Sequence, residues 1–327
     1  MSALPAVPQI EVLDLRHFSA RQLRPLLERE AELWRTRLRW DYRSSTELLL
    51  QYLESRILQG FVALDRGRVC GYTFCVYEGR KAVIGDAFAV TGGVGVATDP
   101  ATTRLLLTHA IEMLRHSPAV DRVESQLLLF DAGEFRSLFS GPEFTIYPRL
   151  FLELKLANLA AQVNPGPLYD LATWSPHDYQ RAAELIHACY EGHTDAQIND
   201  QYRSLHGSLR FLHNIVRFPG CGVFEPNLSW ILHDKASGAM LGMVLVSRVG
   251  DRVGHVTQLC VAPNLRGHGM GALLLSQCAT AMAQAGFEAV TLTVTEGNTE
   301  AVRLYERFGF TRMHRFDAMV LNTQYKA

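Results

Sequence analysis

The sequence predicts an α/β chain of two similar domains. Each is a mixed, mostly antiparallel central sheet of hairpin-linked strands flanked by helices. Three observations predict it. The chain has 327 residues, which suits two cores of about 160 residues each. The segment Cys70–Val90 aligns without a gap on Leu241–Val261 at a constant offset of 171, with Gly71 on Gly242, Gly79 on Gly250 and Val90 on Val261. The same order of helices and strands surrounds both segments.

Each aligned segment reads as two β-branched-rich strands joined by a charged, Gly-containing hairpin. A helix with apolar spacing follows each, over Ala101–His116 and Ala272–Ala285. Each helix leads into a strand, Val120–Phe130 or Ala289–Thr295. A short helix and a final strand pair close each half, near Phe144–Leu156 and Phe310–Leu321. Upstream, the first half opens with a strand at Ile10–Leu13 and helices at Ala20–Leu38 and Ser45–Leu58. The second opens with a strand at Leu168–Leu171 and helices at Pro176–Cys189 and about Asp200–Phe218. Between them, Ala160–Pro167 has the Pro/Gly composition of a linker. The domains therefore divide as 1–160 and 168–327, with a linker at 161–167.

Composition narrows the function. Hydrophobic residues make up 48 % and the formal net charge is −1, so bulk electrostatics holds neither nucleic acid nor an anionic membrane. The start, MSALPAVPQIEVLDL, lacks the basic region and continuous apolar stretch of a signal peptide. No window approaches 18 uncharged apolar residues. Six scattered cysteines (Cys70, Cys75, Cys189, Cys221, Cys260, Cys278) read as small core residues of a reduced, cytoplasmic protein.

The run Val261–Leu275 carries the chemistry. An apolar strand ends at Val261, and Arg266-Gly267-His268-Gly269-Met270-Gly271 opens an apolar helix. Backbone N–H groups and the positive end of a helix dipole then converge on one point, which binds phosphate. Glycines at 267, 269 and 271 remove the Cβ atoms that would hold a pyrophosphate away, and Arg266 adds a cation. A dinucleotide motif does not fit, because the turn departs from G-x-G-x-x-G and no acidic residue ends the next strand.

Together with the pattern N-x-x-A-x-x-L-Y-x-x-x-G-F from Asn298 to Phe310, this turn resembles the GNAT superfamily of acyl-CoA N-acyltransferases. The motifs cover roughly Gly254–Phe310, in the order and approximate spacing of that family. The resemblance implies an acetyl-CoA-dependent N-acetyltransferase with no metal cofactor. In the family the fourth and fifth strands splay apart, and the pantetheine arm of the cofactor lies between them. Backbone groups of Leu259, Cys260 and Val261 would pair with the arm as in strand addition. An N–H there would hold the thioester oxygen. The pyrophosphate would rest on Arg266, Gly267, His268, Gly269, Met270 and Gly271. Asn298 would bond the arm, and Tyr305, two helical turns further on, shares its face.

The resemblance also implies direct attack of a primary amine on the thioester, with the Tyr305 hydroxyl as proton donor to the leaving thiolate. The base is open. Family members often carry a glutamate on the fourth strand, but Gly254–Leu259 has no acid. His255 is the titratable residue at the start of that strand and the first candidate, and Glu296 is the second. His187, His193, His206 and His213 show no i, i+4 metal spacing. The polar stretch Glu191–Asn199 is where the family often builds the acceptor side of its cleft, and is equally a plain connection.

The first half departs from the pattern. Its counterpart of the phosphate turn, Thr91–Pro100, lacks the arginine and carries Asp99 and Pro100. The counterpart of the Asn–Tyr helix, Ala132–Phe139, has neither residue. This half reads as a degenerate copy. Two other functions stay open: a non-catalytic acyl-CoA-binding regulatory module, and transfer of a different acyl group. The partner is a small-molecule amine or a peptide acceptor, and the chain is a monomer or a homodimer.

Overall fold

The computed structural model describes residues 10–91, 98–158, 166–218, 220 and 222–322. The glycine-rich part of the first-half turn, most of the linker, the N-terminal start and Cys221 lie outside the described residues. The fold is mixed α/β, with mostly antiparallel strand pairing. The chain forms two compact units: Met1–Arg37, Ser45–Ile146 and Phe316–Ala327 make the first, and Leu38–Ser44 with Tyr147–Arg315 make the second.

The first unit contains β1 (Ile10–Asp14), most of α1 (Ala20–Leu38) and α2 (Arg43–Glu54), then β2 (Gln59–Asp65), β3 (Arg68–Glu78) and β4 (Lys81–Ala89). Next come α3 (Pro100–His116), β5 (Arg122–Gln126) and the start of β6 (Phe144–Lys155). Its strands run in the order β1-β2-β3-β4-β5. The neighbouring pairs are antiparallel except β4 and β5, which are parallel.

The second unit adds β7 (Tyr169–Thr173), α4 (Tyr179–Tyr190), α5 (Asp195–Ile198) and α6 (Leu205–Arg217). It continues with β8 (Val223–Phe224), β9 (Trp230–Asp234), β10 (Met240–Gly250), β11 (Val253–Val261), α7 (Met270–Gln284), β12 (Ala289–Thr295), α8 (Thr299–Phe308) and the start of β13 (Thr311–Asn322). Its strand order is β6-β12-β11-β10-β9-β7, with β8 beside β10. Only β11 and β12 pair in parallel among these neighbours. Leu273, Leu274, Cys278 and Met282 of α7 pack on Val244, Val246, Leu292 and Val294 to form one core. Ala182, Ile186 and Leu212 pack on Met243 and Leu245 to form another.

The two units depart from the linear division at 160–168 in two respects, the first being that the last strands are exchanged. Residues Arg149–Lys155 of β6 pair antiparallel with β12 in the second unit. Residues Ala318–Asn322 of β13 pair antiparallel with β5 in the first. Alternation in a strand dictates which face is buried and leaves open which sheet edge it joins. Leu38–Ser44 also belongs to the second unit. There Asp41 N–H donates to Val249 O, and Arg39 bridges Glu153 (3.1 Å) and Glu288 (3.3 Å).

The repeat persists with a refinement. Gly71 pairs with Ala89 in one hairpin, and Gly242 with Val261 in the other. Ala89, rather than Val90, is thus the counterpart of Val261. The offset grows by one past the hairpin because β10 and β11 carry an irregularity between Arg248 and Gly250. Short β2 and β9 were not foreseen. FVALD and WILHD are brief apolar runs that lack enough alternation to stand apart from neighbouring elements.

Candidate active site

The site begins where two strands part. β11 and β12 pair in parallel from Val253–Ala289 to Val256–Leu292 and then separate, while β11 stays on β10 as far as Val261. Leu245 pairs with Gln258 and Val246 with Val256, so Thr257 is an extra, unpaired residue. Such a bulge bends its strand. Beyond it, Ala262 N–H donates to Leu241 O at 2.8 Å. Antiparallel ladders alternate, so Leu259 and Val261 turn their backbone groups away from β10, toward the opening. The Val261 carbonyl accepts the Cys189 thiol there at 3.2 Å.

The turn follows directly. Gly267 and Gly269 adopt φ of 78° and 82°, left-handed values that favour glycine. A Cβ on either would meet nothing within 4 Å, so open space faces both. Gly269 caps α7 without a side-chain bond, so no side chain of the cap residue takes up the first-turn N–H groups of the helix. Gly271 serves packing instead, since a Cβ there would lie 3.1 Å from Leu304 Cδ2.

The turn and the strand edge line one cleft of about 800 Å³ together with Asn298 and Tyr305. Leu259, Cys260, Val261, Arg266, Gly267, Gly269, Met270 and Gly271 all border it. His268 does not, and its Nδ1 lies 2.9 Å from Arg266 O. Arg266 is charged and anchored. Its Nη2 donates to Cys189 O at 2.6 Å, tying the C-terminus of α4 to the turn.

Asn298 caps α8, its Oδ1 accepting Ala301 N–H at 3.2 Å, and its Nδ2 lies 3.3 Å from His193 Nε2. Tyr305 is buried and packs edge-on against Phe310 at 5.6 Å. Burial, and then the Asp195 carboxylate, hold the Tyr305 phenol well above its ordinary pKa, so it keeps its proton. Among the described residues its hydroxyl has no hydrogen-bond partner, which leaves it to the cleft. Cys189 and Cys260 meet in the cleft wall, where the Cys189 contact and burial push the Cys260 thiol up.

The two base candidates lie elsewhere. His255 is 5 % exposed and is not at an exposed strand start. Its ring packs between Trp40 (5.0 Å) and Phe151 (5.9 Å), and burial lowers its pKa to about 3. It does not border the cleft. Glu296 is held by Arg315, whose Nη2 donates to it at 2.6 Å, and it too lies off the cleft.

Several lining residues were missed in the sequence: Cys189 and Tyr190 at the end of α4, and Glu300, Arg303 and Arg307 on α8. The i, i+4 spacing of Arg303 and Arg307 was the available signal. The polar stretch after α4 does reach the site. His193 borders the cleft, its Nδ1 accepts Asp195 N–H at 3.1 Å, and the Asp195 carboxylate accepts the Thr295 hydroxyl. The other three histidines lie apart: His187 near Tyr202 O, His206 near Arg210, and His213 against Phe218.

The first unit closes the equivalent positions. Asp99 caps α3, its carboxylate accepting Ala101 N–H and Thr102 N–H at 3.1 Å each and the Thr102 hydroxyl at 2.7 Å. Pro100 has no N–H to offer. In place of the Asn–Tyr helix there is a single 3-10 turn, Arg136–Leu138.

Residues 183–310 match the family model described as acetyltransferase (GNAT) family. This stretch is a GNAT-family domain. A curated relative also matches part of the chain. Mycothiol acetyltransferase of Beutenbergia cavernae is 33 % identical over 27 % of this chain and 30 % of its own length. The match thus spans under a third of that relative. The fold likeness extends further. A GCN5-related N-acetyltransferase from Sphaerobacter thermophilus superposes with a TM-score of 0.66 at 16 % identity, over 98 % of this chain and 97 % of that one. A tandem GNAT protein from the clavulanic acid biosynthesis pathway does so with a TM-score of 0.59 at 15 % identity, over 98 % and 100 %. At these identities the likeness shows the fold, which for this chain is a GNAT-type architecture throughout.

Proposed function

We propose that the protein is an acetyl-CoA-dependent N-acetyltransferase that transfers the acetyl group directly to a primary amine. One observation carries the reading. The free edge of β11, the uncapped start of α7, Asn298 and Tyr305 all border the same cleft. The edge offers Leu259 and Val261 backbone groups to a strand-like pantetheine arm. The first-turn N–H groups of α7, with Gly267 and Gly269, offer a bed for its pyrophosphate. Asn298 stands beside the arm.

In this reading the neutral amine attacks the thioester carbonyl, the tetrahedral oxygen is held by a β11 N–H, the proton on the attacking nitrogen passes to water, and the C–S bond breaks. The Tyr305 hydroxyl hydrogen-bonds the departing sulfur. A phenol ordinarily titrates near 10 and a thiol near 8.5, so that bond stabilises the thiolate more than it transfers a proton. Burial strengthens this division of labour, because it raises the phenol further. His255, buried and weakly basic, has no part in taking the amine's proton. The acceptor enters on the side of His193 and Asp195.

The first unit is a copy without turnover, since the Asp99 carboxylate occupies the helix start that a phosphate would need. The five described cysteines are free and buried, in keeping with a reduced, cytoplasmic setting. Release of free thiol from acetyl-CoA, followed across a panel of amines, tests the function. Amine-dependent release supports it, and tight acetyl-CoA binding with no release by any amine argues for a non-catalytic binding module.

A further inference from the structure

α8 carries two arginines that nothing in the description above uses. Arg303 and Arg307 both border the cleft. They sit at i and i+4, and thus on one face of the helix roughly 6 Å apart. Both are exposed. Among the described residues neither has an ion pair or a hydrogen bond from its guanidinium. Other arginines of the same unit are partnered: Arg248 with Glu225, Arg252 with Glu288 and Arg315 with Glu296. Glu300 borders the cleft one turn earlier, at the helix start, where the dipole favours an acid. The cationic part of the wall is the later half of α8.

The position of the pair is fixed against the phosphate turn. Leu304, next to Arg303 in the sequence, meets Gly271 at the start of α7, where an added Cβ would come within 3.1 Å. The segment of α8 that carries the pair therefore touches the start of α7 through Leu304. Arg266, the cation that the sequence assigned to the turn, keeps its charge, with its Nη2 engaged by Cys189 O. Arg303 and Arg307 are, among the described residues, cleft-lining arginines whose guanidinium groups have no partner.

We infer that Arg303 and Arg307 form a phosphomonoester subsite that reads the 3′-phosphate of the coenzyme. The inference rests on the reading that this cleft takes coenzyme A. The coenzyme carries two separate anionic groups, and the backbone amides of the turn match only the pyrophosphate. A phosphomonoester holds a charge between −1 and −2 and presents three acceptor oxygens. Paired guanidinium forks match that geometry bidentately, which lysines would not. The rim is exposed, so the contribution falls with ionic strength.

The test is calorimetric titration of the full chain with coenzyme A and with 3′-dephospho-coenzyme A. The wild type is compared with the Arg303→Ala/Arg307→Ala double variant. The wild type prefers coenzyme A by about tenfold or more at low salt, as expected for two charge-assisted contacts, and less at high salt. In the double variant the preference collapses toward one while the affinity for dephospho-coenzyme A is kept. An Arg303→Lys/Arg307→Lys variant recovers part of the preference. Equal binding of the two ligands by the wild type, or a preference that survives the double substitution, overturns the subsite and leaves the functional proposal standing. Binding of neither ligand by the wild type overturns both.

Discussion

The imidazole of His255 lies 5.0 Å from the indole of Trp40, centroid to centroid. Trp40 comes from the short segment between α1 and α2 that belongs to the second unit. His255 Nδ1 also lies 2.8 Å from Thr291 Oγ1, so the ring is both stacked and hydrogen-bonded. Burial, and secondarily the charge of Arg149, lower its pKa from 6.5 to about 3.

A pH dependence of stability follows from that shift. Above pH 6.5 the ring is neutral in both the folded and unfolded chains, and its contribution is complete. Between about 6.5 and 3 only the unfolded chain takes up the proton, so stability falls by about 1.4 kcal/mol per pH unit. Thermal unfolding of the wild type therefore weakens on acidification more steeply than that of His255→Gln. Parallel Tm curves from pH 7 to 4.5 would remove His255 as the cause.

A second buried pair gives the opposite sign. Glu30 is fully buried on α1 and accepts the Tyr72 hydroxyl at 2.6 Å. Burial and the neighbouring Asp86 carboxyl raise its pKa well above the usual range. Its contribution is complete below the unfolded pKa and is lost as pH rises through the folded one. Glu30→Gln keeps the shape and the Tyr72 bond, so it should unfold at a higher temperature than the wild type at pH 8. The gap should narrow at pH 5. A gap that is constant with pH would mean that Glu30 is ionised in the fold.

Tyr305→Phe removes one hydroxyl from the cleft and leaves the ring that packs on Phe310. Turnover should fall about 10- to 1000-fold, with little change in acetyl-CoA affinity. Rapid-quench or thiol-release kinetics together with calorimetry separate the two effects. Turnover at the wild-type level would return Tyr305 to a purely packing role.

One equivalent of acetyl-CoA should bind per chain. Asp99→Ala removes the cap of α3 at a cost of about 1 kcal/mol in stability. It should leave both the stoichiometry and the turnover unchanged. Two equivalent sites in the wild type would show that the first unit still holds the cofactor.

Much of this arrangement was legible in the sequence, because the informative signals were local. The turn from Arg266 to Gly271 and the spacing of Asn298 and Tyr305 depend on backbone conformation and helical period, which sequence writes directly. What was not legible depends on contacts distant in sequence. The exchange of β6 and β13 hides because alternation does not name a strand's neighbour. The burial of His255 hides because Trp40, Phe151 and Thr291 come from three remote segments. The anchoring of Arg266 hides because the Cys189 carbonyl, 2.6 Å from its Nη2, comes from α4.

The most direct measurement is a crystal structure of the full chain with acetyl-CoA. The account predicts the pantetheine arm between β11 and β12, paired with Leu259 and Val261. It predicts the pyrophosphate on Arg266–Gly271 and the sulfur beside the Tyr305 hydroxyl. A cofactor bound in the first unit at the start of α3, or bound elsewhere with the β11–β12 opening empty, would contradict it.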